Sequence, residues 1–156
     1  MLFLRGFAVK KLIDLYNLGV KEGVKFLNIK MYNTKGLTNR SRGVTLIVIN
    51  SLLGEQEEYI VLAHEMGHFY KDCTSALSIP VSKMISEARA EAWKSTYLIP
   101  YDKYKEVMRN PFVFSDFEAA EELGVDINSI VCARKCFKAK GLPISQAELD
   151  CVNRDP

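Results

Sequence analysis

Apolar residues recur at helical spacing over residues 8–17, at Leu12, Ile13, Leu15 and Tyr16, and predict a first helix that Gly19 ends. Residues 24–31 alternate loosely, as a strand does, whereas residues 33–43 are polar, carry Gly36 and Gly43, and read as turn and connection. The short β-branched run at residues 44–49 is the clearest strand. Leu53-Gly54 gives way to a helix whose start carries Glu55, Glu57 and Glu58, where the helix dipole favours acids, and which continues into the apolar run Tyr59-Ile60-Val61-Leu62-Ala63. A second long helix is predicted over residues 82–99, with Pro80 before it and Pro100 ending it. A third begins near Tyr101 and stops before Asn110-Pro111. Ser115 caps a helix over residues 116–123, Glu118 completes a capping box, and Gly124 ends it. Asp126 caps a last helix through Lys140, closed by Gly141 and Pro143.

Helix, small sheet, then helices is an α+β order, and the sheet is expected to be antiparallel. The length of 156 residues fits a single domain with a core of about residues 20–110. A helical C-terminal extension follows at about residues 115–141, then a short tail at 142–156. There are no repeats, low-complexity tracts or linkers.

Composition narrows the class but not the function. A hydrophobic content of 48% and a charged content of 26% are those of an ordinary soluble globular protein. The net charge of +2 gives no argument for nucleic acid. The first 43 residues are nonetheless uneven, nine Lys and Arg against Asp14 and Glu22. Such a face suits an acidic partner or nucleic acid, although a solvated surface is the more ordinary outcome. Cys73, Cys132, Cys136 and Cys151 form no C-x-x-C pair. The N-terminus lacks the basic and apolar regions of a signal peptide, and no apolar stretch approaches the roughly 20 residues of a membrane span. These features predict a cytoplasmic protein with free thiols and no membrane association.

The chemistry sits at His64-Glu65-Met66-Gly67-His68, which reads H-E-x-x-H and uses the only two histidines. On a helix, residues four apart share a face, so both imidazoles point at one spot. Two imidazoles and one further side chain make a three-ligand zinc site with an open position. Glu65 is then the general base. Gly67 is costly inside a helix, by about 1 kcal/mol relative to Ala, and implies close approach of another group between the histidines. The third ligand is sought on the next helix, where Glu87 and Glu91 stand four apart. A metal-bound histidine needs an acceptor for its other ring N–H, often a carboxylate. We assign Glu87 as ligand and Glu91 as that acceptor. Cys73, five residues past His68, is a weaker alternative ligand.

Ala63-His64-Glu65-Met66-Gly67-His68-Phe69, preceded by Val44-Thr45-Leu46-Ile47-Val48-Ile49-Asn50, resembles the ImmA/IrrE family of zinc metallopeptidases, as does Glu87-Ala88-Arg89-Ala90-Glu91-Ala92-Trp93 followed by Leu98-Ile99-Pro100. The pattern is similar to phage and prophage members, and the likeness covers roughly residues 20–135. An Asp or Asn is more usual in the family where Glu91 stands. The resemblance implies zincin-like helices carrying Zn²⁺ on His64, His68 and Glu87, with Glu65 catalytic. It also implies a narrow-specificity endopeptidase that cuts a helix-turn-helix repressor, expected here as a separate chain.

A second oxyanion donor is expected from Tyr70, Tyr97 or Arg89. A strand edge, at residues 44–49, is expected to align the substrate by β-augmentation. The rival reading is a DNA- or repressor-binding protein with a structural or inactive zinc site. Residues 117–140 have helix–Gly–helix spacing with Arg134, Lys135, Lys138 and Lys140 on the last helix. Packing of those helices into the fold is the more ordinary explanation, so direct nucleic-acid binding is not expected.

Overall fold

A computed structural model describes residues 2–71 and 80–145 together with Ala147 and Leu149; for residues 2–10, 80 and 81 it describes the backbone. Cys73 and Cys151 lie outside the described residues. The chain forms two compact units, residues 1–94 and 95–156.

In the first unit, α1 (Leu2–Lys21) runs well beyond the expected residues 8–17. Gly19 does not end it. A Cβ there would lie 2.3 Å from the Phe26 ring and 3.2 Å from the Met66 sulfur, so this glycine makes room for neighbours inside the helix. The turn out of the helix falls at Gly23, with φ +82°, a conformation glycine adopts without strain.

Three strands follow: β1 (Lys25–Ile29), β2 (Gly36–Ser41) and β3 (Val44–Asn50), in the order β1-β3-β2. The α+β class holds, and the sheet is mixed. β2 and β3 form an antiparallel hairpin, while β1 runs parallel to β3 on its other side. The expected polar connection at residues 33–43 therefore contains a strand. Arg42 and Gly43, with φ +48° and +78°, make the tight turn that returns β2 onto β3. β3 is the central strand, not the edge expected of it, because its β-branched residues are covered: Ile47 and Ile49 are fully buried. The edges among the described strands are β1 and the polar β2.

The helix α2 (Glu55–Lys71) packs Tyr59, Leu62, Ala63 and Met66 inward, where Leu12 and Leu15 of α1 are also buried. Its first turn is fixed by Glu58, whose carboxylate accepts from the Tyr16 hydroxyl (2.6 Å) and the Asn28 amide (3.3 Å). Burial and the Glu58 carboxylate raise the Tyr16 pKa, so the hydroxyl stays a donor. At the end of β3, the Asn50 amide accepts from the Met31 and Leu52 N–H groups and donates to the Met31 and Thr34 carbonyls. One buried side chain thus ties the exits of β1 and β3 to the approach of β2. The helix α3 (Pro80–Leu98), which belongs to this unit as far as Lys94, starts with Pro80 in its first turn, where a missing N–H costs nothing, and ends before Pro100.

The second unit holds α4 (Tyr101–Met108), α5 (Asp116–Leu123) and α6 (Ile127–Ala139). Both expected caps are present: Ser115 accepts from the Glu118 N–H and Asp126 from the Ser129 N–H. Gly124, at φ +67°, closes α5. Phe137 packs its ring against Tyr101 and Tyr104. Arg134 pairs with Asp116 and donates to the Tyr104 hydroxyl. One of the four cations of the helix–Gly–helix reading is thus engaged within the unit. Among the described residues, no helix is long and apolar enough to cross a membrane.

Candidate metal and active site

The site is built where α2 lies against α3. A Cβ on Gly67 would sit 2.5 Å from the Ala90 carbonyl oxygen and 2.9 Å from its Cα. The two backbones meet there, which is the close approach the glycine implied. One turn further on, the Tyr70 and Trp93 rings stack at 4.9 Å and 24°. One turn back, the side chains at 64 and 68 on α2 face Glu87 and Glu91 on α3.

His64 Nε2 and His68 Nε2 are 3.2 Å apart. Glu87 Oε2 is 3.3 Å from the first and 3.6 Å from the second. A tetrahedral zinc with bonds of about 2.0–2.1 Å sets its ligand atoms about 3.3 Å from one another. Two nitrogens and one oxygen therefore already stand near three corners of such a tetrahedron, a donor set that suits zinc. Glu87 is half-exposed, which leaves the group open on one side.

The other ring nitrogens are held as well. His64 Nδ1 lies 3.3 Å from Glu91 Oε2, and His68 Nδ1 lies 3.3 Å from Ser86 Oγ. A proton on His64 Nδ1, donated to Glu91, leaves the Nε2 lone pair facing the group. The hydrogen bond to Glu91 raises the His64 pKa against the opposing effect of burial, and the Glu65, Glu87 and Glu91 charges add to it. Burial pushes the Glu91 pKa up, but His64 and Lys94 together hold it below the usual carboxylate range.

Glu65 is buried beside the histidines and is gripped by β2. The Thr38 hydroxyl donates to its Oε2 at 2.7 Å. Two residues earlier on the same face of the strand, a Cβ on Gly36 would lie 2.8 Å from Glu65 Oε1 and 2.9 Å from its Cγ. Only a strand without a side chain at that point can lie so close to the acid.

His64, His68, Glu87 and Glu91 are thus brought together, with Glu65 alongside. Of the expected oxyanion donors, Tyr70 is stacked on Trp93, Arg89 is exposed, and Tyr97 is half-buried in the second unit. Sequence reasoning missed Gly36, Thr38, Ser86 and Lys94. The alternation of Gly36, Thr38 and Arg40 was a faint strand signal inside a segment read as a turn. Lys94 stands at i+3 from Glu91, the spacing of a helical ion pair.

The model of a known family, the IrrE N-terminal-like domain of Peptidase M78, matches residues 20–132, well over half of the chain. The chain belongs to this family. The M78 match runs from the end of α1 through β1–β3, α2 and α3 into α6, so it includes every residue of the His/His/Glu group. It makes the protein a member of a metallopeptidase family that is in general zinc-dependent. No curated protein matches the chain.

Proposed function

We propose that the protein is a zinc-dependent endopeptidase of the cytoplasm that hydrolyses a peptide bond in one specific protein, a helix-turn-helix repressor encoded as a separate chain. The observation that carries the enzymatic part is the spacing of His64 Nε2, His68 Nε2 and Glu87 Oε2 next to a buried, oriented Glu65. The repressor part rests on the resemblance of the two site helices to phage and prophage members of the family.

His64, His68 and Glu87 would hold the metal. When bound there, zinc would supply a Lewis acid and lower the pKa of its bound water to about 7. Glu65 takes a proton from the attacking water as its oxygen bonds to the scissile carbonyl carbon. It returns that proton to the amide nitrogen as the C–N bond breaks, so the carboxylate is regenerated. Thr38 occupies one lone pair of Oε2 and restricts the carboxylate to one orientation. Glu91 keeps His64 in the tautomer that presents Nε2. The exposed edge of β2, the strand that touches Glu65, offers main-chain groups to which an extended substrate segment can add.

Co-expression of the repressor encoded beside this chain with wild-type protein and with Glu65→Gln tests the reading. Cleavage by the wild type alone is expected; a repressor left whole in both sinks the protease assignment. Metal analysis of His68→Ala and Glu87→Ala tests the ligands separately. Full zinc stoichiometry in Glu87→Ala shows the third ligand to be another residue.

A further inference from the structure

Lys94 is a buried charge that the mechanism above does not use. Its side chain is 7% exposed, and an ammonium so far from water is tolerated only beside a compensating charge. Its Nζ lies 2.7 Å from Glu91 Oε1, an oxygen shielded from solvent, while Glu91 Oε2 faces His64 Nδ1 at 3.3 Å. The carboxylate is thus spanned between a lysine on its own helix and a histidine on the neighbouring one. His64 in turn presents Nε2 to Glu87 and His68.

A glutamate has one more rotatable bond than an aspartate, and an untethered Glu91 would sample several rotamers. It also shares a helix face with Glu87, four residues away, and so has other acceptable positions near the histidines. An ammonium on Oε1 removes that freedom. We propose that Lys94 is a positioning residue: it clamps one oxygen of Glu91 so that the other stays on His64 Nδ1, and His64 Nε2 stays on the metal-binding group. The inference rests on the metal centre proposed above.

The test uses the full chain prepared free of metal. Zinc affinity is measured by chelator competition for the wild type, Lys94→Met, Glu91→Gln and the double variant. Lys94→Met should lose about ten- to a hundredfold in affinity, the range seen when residues that orient metal ligands are removed. Glu91→Gln should lose a similar factor, and the double variant should lose no more than Glu91→Gln alone. A lysine that only balances charge in the fold would leave zinc affinity untouched, or would lower it by the same factor in either background. Either result overturns the proposal.

Nitrogen-15 spectra of the histidine rings in the wild type give a reading that needs no variant. His64 should be a single Nδ1–H tautomer in the metal-free protein; a mixture overturns the clamp even if Lys94→Met fails to fold. Wild-type protein that takes up no zinc overturns the metal centre itself. Equal uptake by wild type and Lys94→Met overturns only the role of Lys94.

Discussion

Gly67→Ala is the most direct test of how the two site helices are held together. The added Cβ would meet the Ala90 carbonyl oxygen at 2.5 Å, and ordinary contact begins at 3.4 Å, so α2 and α3 must part by about 0.9 Å or tilt. The obstacle is backbone and cannot swing aside as a flexible side chain would. Ala90 lies one turn from Glu87, so the opening is passed on to the ligand atoms, now 3.2–3.6 Å apart. Metal–ligand distances tolerate only about 0.2 Å. The substitution should therefore weaken zinc binding by at least about tenfold. Helix propensity acts the other way, favouring Ala by about 1 kcal/mol, against about 1–3 kcal/mol for overpacking. The metal-free variant should thus be equal in stability to the wild type or up to about 2 kcal/mol weaker. Chelator competition and thermal unfolding of the metal-free protein measure the two effects. A variant that is more stable by about 1 kcal/mol and binds zinc normally would show that the contact with Ala90 does not set the helix spacing.

Thr38→Val removes the hydroxyl on Glu65 at nearly constant volume, and should lower turnover about tenfold without changing zinc affinity, while Thr38→Ser restores it. The assay is whichever proteolysis Glu65→Gln silences, and unchanged turnover in Thr38→Val would remove Thr38 from the machinery. Ser115→Ala should cost about 1 kcal/mol of stability by exposing the Glu118 N–H at the start of α5, read by denaturant unfolding. Glu118 itself accepts from the Phe114 N–H and the Ser115 hydroxyl, and its pKa is lowered, first by the backbone bond to Phe114. Its contribution is present in full above the ordinary value of 4.5 and is lost as pH falls through the lowered one. Glu118→Gln should therefore differ from wild type at neutral pH, and the two should converge in acid. A constant difference across that range would show that the carboxylate charge is not what matters.

The parts of the site that the sequence disclosed are those carried by local periodicity. His64 and His68, or Glu87 and Glu91, need only a helix to share a face, and the helices were legible from caps, prolines and apolar runs. Gly67 was legible as a close approach because a glycine in mid-helix is costly. Gly19 was misread by the same logic, since it too clears space inside a helix and Gly23 makes the turn. Thr38 was out of reach: it meets Glu65 across 27 residues, from a strand too polar to announce itself. An edge strand has one covered face at most, so its pattern is weak, and its identity comes from β3 beside it. The central place of β3 and the parallel pairing of β1 depend on the same non-local partners.

Below the acids, the seam between α2 and α3 is made of Gly67 on Ala90 and Tyr70 on Trp93, and neither contact involves Glu65, Glu87 or Glu91. The reactive acids can therefore be changed without touching the seam, although a change in the seam reaches the ligand atoms. A lineage that lost Glu65 would keep the seam, the histidines and the edge of β2, where the proposed function has an extended segment add. Under the proposed mechanism, one substitution at Glu65 would abolish cleavage and leave the metal-binding group in place.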